Sequence, residues 1–143
     1  MSSDKQQIVK IMKENSLHAY LATTHDDQPF VRPVSPIVED DLTIWVTTFV
    51  SSRKVSHVRH NPKICLAFVE QPQGDKAAFV FGEARTVSDM ENKKRVWQLA
   101  RFDLSQHFPD GPESKEFGLL KITPKRIEWR DNWGAGNKIF ELT

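Results

Sequence analysis

The sequence predicts a mainly β (α+β) fold, an antiparallel β-barrel with a few short helices at its periphery. Three observations carry this expectation. A succession of β-prone runs is joined by short polar turns, and helical periodicity is confined to brief segments. Strands and helices also fail to alternate in the way a parallel sheet requires.

The elements follow in order. Ile8, Ile11 and Met12 recur at helical spacing among lysines and glutamates, so residues 4–14 read as an amphipathic helix that Ser3 or Asp4 can cap. Residues 19–24 are a short β-prone run, Asp26-Asp27-Gln28-Pro29 reads as a turn, and residues 30–38 continue as one extended segment. Pro33 and Pro36 would interrupt a central ladder, so that segment is expected at an edge or with a bulge. Residues 42–48 form a strong strand. Ser51 and Ser52 can cap a short helix running to His60, which Asn61-Pro62 stops. Strands are expected at residues 64–69 and 77–86, joined by a hairpin loop containing Pro72 and Gly74. Ser88-Asp89-Met90-Glu91 has the form of a capping box opening a helix, with Val96, Trp97 and Ala100 on its apolar side. Residues 104–114 read as a loop, and two strands near 117–122 and 126–129 close the pattern.

A chain of 143 residues suits one core, so a single domain over residues 1–143 is expected. Lys+Arg 20 against Asp+Glu 19 leaves a net charge of +1, too little for a global field that recruits nucleic acid or membrane. Any anion site must therefore be a local cluster. Cys65, the only cysteine, lies in an apolar run and reads as a buried small hydrophobe, in keeping with a reducing compartment. The amino terminus leads into a charged amphipathic segment rather than an apolar signal core, and no uncharged stretch approaches the ~18 residues of a membrane-spanning helix. A cytoplasmic location is the expectation.

The stretch Thr47-Thr48-Phe49-Val50-Ser51-Ser52-Arg53-Lys54 carries the most chemistry. A strand ends in two hydroxyls, and a helix begins behind two serines and two cations. The first turn of a helix leaves N–H groups unpartnered, and its dipole favours negative charge. Arg53 can grip phosphate oxygens bidentately while Lys54 adds a compact charge. Taken locally, the same residues equally describe a capped helix start with a solvated Arg-Lys pair.

Arg32-Pro33-Val34, the strand end Thr47-Thr48, then Ser52-Arg53-Lys54 and Asn61-Pro62, in that order and separation, resemble the FMN-binding split-barrel family related to pyridoxamine 5′-phosphate oxidase. Within it the chain is most similar to the short, general-stress-protein-like branch. The likeness covers residues 18–87 and, more weakly, the strand at 127–129. It implies a split antiparallel β-barrel that binds FMN at the interface of a homodimer. By the same resemblance Arg32, Pro33, Val34 and Ser35 would line the flavin ring and ribityl chain, and Thr47 and Thr48 would meet the flavin. Ser52, Arg53 and Lys54 would hold the phosphate, with Ser51 beside them. The oxidase also places a tryptophan on FMN near its carboxyl end, which makes Trp129 and Trp133 candidates. The oxidase's substrate residues are not matched: Ile37 stands in place of a lysine, Ala77 in place of a flavin-contacting glutamine, and 134–143 holds no Arg-x-His element. Authentic pyridoxamine phosphate oxidase activity is not expected.

Other signals point elsewhere less strongly. His57 and His60 have a spacing that could ligate a metal, but no nearby cluster completes a set, and both read as solvent-exposed histidines on a polar helix. The basic run Arg53, Lys54, Arg59 and Lys63 near Trp45 and Phe49 could suggest single-stranded nucleic acid, against which stand the balanced charge and the lack of an aromatic platform. The expected function is an FMN-dependent oxidoreductase acting on a small molecule. The alternative is a protein that stores or senses flavin, or binds haem, without turnover.

Overall fold

A capping box starts the first helix, α1 (Asp4–Glu14): the Ser3 hydroxyl accepts from the Gln6 N–H, and the Gln6 side chain accepts from the Ser3 N–H. The computed structural model describes residues 3–142. Eight strands follow: β1 (Ala19–His25), β2 (Gln28–Val34), β3 (Ile37–Val38), β4 (Ile44–Phe49), β5 (Lys63–Val69), β6 (Ala77–Val87), β7 (Phe117–Arg130) and β8 (Lys138–Glu141). Helix α2 (Arg53–His60) lies between β4 and β5, and α3 (Met90–Leu99) between β6 and β7.

All ladders are antiparallel, in the order β2-β1-β5-β6-β7-β4-β3, with β8 paired to the second half of β7. Strands β2 and β3 sit at opposite ends of this sheet, yet only Ser35 and Pro36 separate them in the chain. Three Cα–Cα steps reach about 11 Å at most, so the sheet must curl until its ends meet. The result is a split barrel, with a seam between β2 and β3.

Alternation along each strand separates two faces. Leu21, Leu66, Val80 and Ile127 lie in one row across β1, β5, β6 and β7 and point inward, where Ile8 and Met12 of α1 join them. A second cluster forms on the far side of β4 and β7, where Trp45, Phe117 and Leu119 pack under Val96 of α3 with Leu104 and Phe108.

Several boundaries differ from expectation. The extended segment 30–38 is two strands, and the expected edge position holds for both. Asp26 and Asp27 both take positive φ, a two-residue hairpin turn that brings Gln28 and Pro29 into β2. The strands expected at 117–122 and 126–129 are one, because the ladder passes Pro124 through a bulge opposite Gly82. Residues 104–114 carry short 3-10 turns, Leu104–Gln106 and Gly111–Glu113. Asp89, not Ser88, caps α3 by accepting from the Asn92 N–H. Cys65 points outward from β5 and is half-buried rather than buried, since it alternates with inward Ile64 and Leu66.

One polar contact ties α3 to the barrel. Glu39 accepts two bonds from the Arg95 guanidinium, at 2.6 and 3.1 Å, and one from Trp45 Nε1 at 2.8 Å. The bond from Arg95 holds the Glu39 carboxyl below the usual glutamate range, against the opposing effect of its partial burial. A depressed folded-state pKa gives stability that is full above the unfolded value and lost as pH falls through the folded one. Glu39→Gln should therefore destabilise the protein at neutral pH, and the gap from wild type should close on acidification below the ordinary glutamate range. Thermal melts over that pH window check it.

A candidate anion and cofactor site at the start of α2

Helix α2 begins where β4 ends, so the pleat decides which hydroxyl it meets. Thr48 shares the inward face with Ile44 and Val46 and is buried, whereas Thr47 points to the opposite face. Ser52 is the N-cap residue, but its side chain makes no bond to the helix; its Oγ instead accepts from Thr48 Oγ1 at 3.1 Å. Lys54 Nζ donates to Thr48 Oγ1 at 2.8 Å. The helix start, Thr48, Ser52 and Lys54 are thus one hydrogen-bonded unit.

Arg32 reaches the same region from β2. Its register partner is Leu21, and its Nη1 donates to the Leu21 carbonyl at 3.1 Å and to Thr23 Oγ1 at 2.8 Å. Its Nη2 is buried without a partner. Arg53 lies over the Phe30 ring, 4.7 Å from its centroid. Burial, and then the nearby Arg53 charge, lower the Arg32 pKa; burial, and then Arg32, lower that of Lys54. Arg32 and Lys54 are thus disfavoured as cations by burial and by a neighbouring guanidinium, and among the described residues none of Arg32, Arg53 and Lys54 forms an ion pair with a carboxylate. An orphaned buried guanidinium N–H and three converging, uncompensated cations are what a bound anion relieves. These residues fit a terminal phosphate.

His57 is a correction to the sequence reading. It is 2% exposed, bonds through Nδ1 to Thr23 Oγ1 at 2.8 Å, and packs against Phe30 and His25. Sequence reasoning missed Thr23, Phe30 and His57 as parts of this region. The available signal was periodicity, because His57 follows Arg53 by four residues and so shares its helix face.

The other candidate residues are placed as follows. Pro33 faces outward on β2, and Val34 packs against the core. Ser35 Oγ donates to the Leu17 carbonyl, and Ser51 Oγ to the Glu116 carboxylate, so neither hydroxyl joins the cationic group. Trp129 is sealed in the barrel core, with no surface from which to meet a ligand outside the barrel. Trp133 is 67% exposed, with the Arg130 guanidinium 4.5 Å above its ring. Among the described residues no group of His, Cys, Asp or Glu could hold a metal ion.

The profile of the pyridoxamine 5′-phosphate oxidase family matches residues 5–130, and the chain belongs to that family. General Stress Protein 26 from Bacillus anthracis is similar at 24% identity and a TM-score of 0.75, over 96% of this chain and 98% of that one. A pyridoxamine 5′-phosphate oxidase-related, FMN-binding protein from Nostoc punctiforme is similar at 14% identity and a TM-score of 0.74, over 100% and 92%. A haem-binding protein from Mycobacterium smegmatis is similar at 12% identity and a TM-score of 0.76, over 99% and 59%. At these identities the three show a shared fold. No curated protein matches the chain.

Proposed function

We propose that the protein binds FMN noncovalently in a pocket completed by a second copy of the chain, and acts as an FMN-dependent oxidoreductase on a small molecule. The observation that carries the reading is the set Arg32, Arg53 and Lys54, three cations without carboxylate partners among the described residues, around an orphaned Arg32 Nη2. They would hold the phosphate together with Ser52 and Thr48, while the backbone from Arg32 to Ser35 would run beside the ribityl chain and ring. A single terminal phosphate at one helix start favours FMN over FAD. When bound, the flavin supplies the capacity to accept hydride, and the protein supplies position and positive charge. The FMN-binding protein of the same fold supports the cofactor class. Acid release followed by mass measurement tests it; FAD or haem as the sole ligand overturns it.

The haem-binding protein of the same fold motivates a second reading, binding without turnover. Anaerobic addition of NADH or NADPH separates the two. Rapid bleaching of the flavin supports the oxidoreductase, and a stable oxidised spectrum with either nucleotide supports the binding protein.

The outer face of the sheet supports the dimer. Tyr20, Ala67 and Phe79 lie in one row across it, continued by Glu128 and Ile139, and Val31, Ala22, Cys65 and Phe81 lie in the next, continued by Arg126. Tyr20 and Val31 are exposed, and the apolar surface that β2, β1, β5 and β6 share, bounded on β7 by the Arg126–Glu128 ion pair, is what self-association covers. Ala67→Glu, which places a charge in the middle of this face, should convert a sedimenting dimer to monomer and lower FMN occupancy with it. A monomer that keeps full FMN occupancy would exclude a shared pocket.

A further inference from the structure

The bonds around Arg32 leave it little freedom. Both Nη1 hydrogens are used, one on the Leu21 carbonyl and one on Thr23 Oγ1, and Nη2 is the part left without a partner. A guanidinium only donates, so the Thr23 oxygen accepts and its own hydrogen must go elsewhere. Thr23 is 2% exposed, which closes the route to water, and among the described residues His57 Nδ1, at 2.8 Å, is the acceptor within reach.

His57 can take that hydrogen only as the neutral imidazole protonated at Nε2. Its surroundings enforce this form. Burial lowers its pKa first, and then His25, Arg32, Arg53 and His60 lower it further. His25 of β1 stacks on it with ring centroids 5.0 Å apart, Phe30 and Arg32 face it from β2, and Arg53 and His60 come from its own helix. The titratable neighbours are imidazoles and guanidiniums, all of which disfavour its protonation.

We propose that His57 is a positioning residue for Arg32: by accepting the Thr23 hydroxyl, it orients the Thr23 oxygen onto Nη1 and so holds the guanidinium with Nη2 free for a phosphate. The proposal rests on the anion-site reading above and adds to it a hydrogen-bonded chain, His57–Thr23–Arg32, that spans α2, β1 and β2. If His57 only fills space beneath α2, its replacement changes stability but not the preference for a phosphorylated ligand.

The test compares FMN with riboflavin, which lacks the phosphate, by flavin fluorescence titration. His57→Leu keeps bulk without an acceptor, and Thr23→Val keeps shape without a hydroxyl. Each should weaken FMN binding about five- to tenfold, the loss of roughly one hydrogen bond, and change riboflavin binding less than about twofold. His57→Asn, which offers an amide oxygen near the Nδ1 position, and Thr23→Ser should recover most of the loss. Nitrogen NMR of the wild-type protein, which needs no variant to fold, should show His57 protonated at Nε2 and bare at Nδ1, with and without FMN.

An unchanged FMN-to-riboflavin ratio in His57→Leu and Thr23→Val overturns the proposal. So does equal loss in His57→Leu and His57→Asn, or a proton on Nδ1. The anion-site reading fails separately: its failure appears as equal FMN and riboflavin affinity in the wild-type protein, before any of these variants is made.

Discussion

Arg53→Ala is expected to weaken FMN binding roughly ten- to hundredfold while riboflavin affinity stays close to that of wild type. A charge-assisted hydrogen bond contributes about 1.5–3 kcal/mol, and each 1.4 kcal/mol or so is a factor of ten. Lys54→Met should behave alike, since it keeps the apolar stem and removes the ammonium that donates to Thr48. The comparison of ligands isolates the phosphate, because damage to the fold would lower both affinities together. Raising salt should weaken FMN binding more than riboflavin binding for the same reason. If both variants lose FMN and riboflavin equally, or lose neither, the cations at the start of α2 do not hold a phosphate.

The largest effect on stability is expected at Gly82, where β6 passes the bulge in β7. A Cβ there would sit 2.2 Å from the Thr123 carbonyl oxygen and 3.0 Å from Pro124 Cα. Both are backbone atoms, so no side chain can rotate away to make room. Gly82→Ala should destabilise the protein by about 2–3 kcal/mol, which shifts the melting temperature by several degrees for a chain of this size. Gly111→Ala is the control. Gly111 has φ +78 and nothing within 4 Å, so only left-handed strain of about 1–2 kcal/mol applies. An alanine at Gly82 that is tolerated better than one at Gly111 would show that the ladder can slide at the bulge.

How much of this was legible in the sequence depended on whether the signal was local. β1, β4 and β5 announce themselves by alternation or β-branched runs, and α2 by its serines and the Asn61-Pro62 stop. The break of the segment 30–38 into β2 and β3 is not local: both halves are extended, and only pairing with β1 on one side and β4 on the other separates them. Pro124 reads as an end of strand, whereas Gly82 on the neighbouring strand is what lets the ladder pass it. β8 is hard to read because it is only four residues long, Lys138–Glu141, two of them charged, with Gly134 and Gly136 just before it. At the site, Arg53 and Lys54 could be read from a helix start, and Arg32 from family resemblance. His57 shares the helix face of Arg53 by spacing, but Thr23 required the register, since an inward threonine looks like any other strand residue until its neighbours are known.

The seam between β2 and β3 bears on how the protein behaves at high concentration. A two-residue hairpin turn makes His25 and Gln28 a hydrogen-bonded pair, so along β2 the N–H groups of residues 29, 31 and 33 turn away from β1 and toward the open edge. Two of those positions, Pro29 and Pro33, have no N–H at all. The prolines take nothing from the ladder with β1, yet they leave Val31 as the single backbone donor that a stray strand could find there. An unguarded edge of this kind recruits other chains into intermolecular sheet, and polymerisation is thereby blocked by the residue type least suited to a strand. Restoring donors with Pro29→Thr and Pro33→Thr would leave the hairpin intact and open the edge to fibre growth.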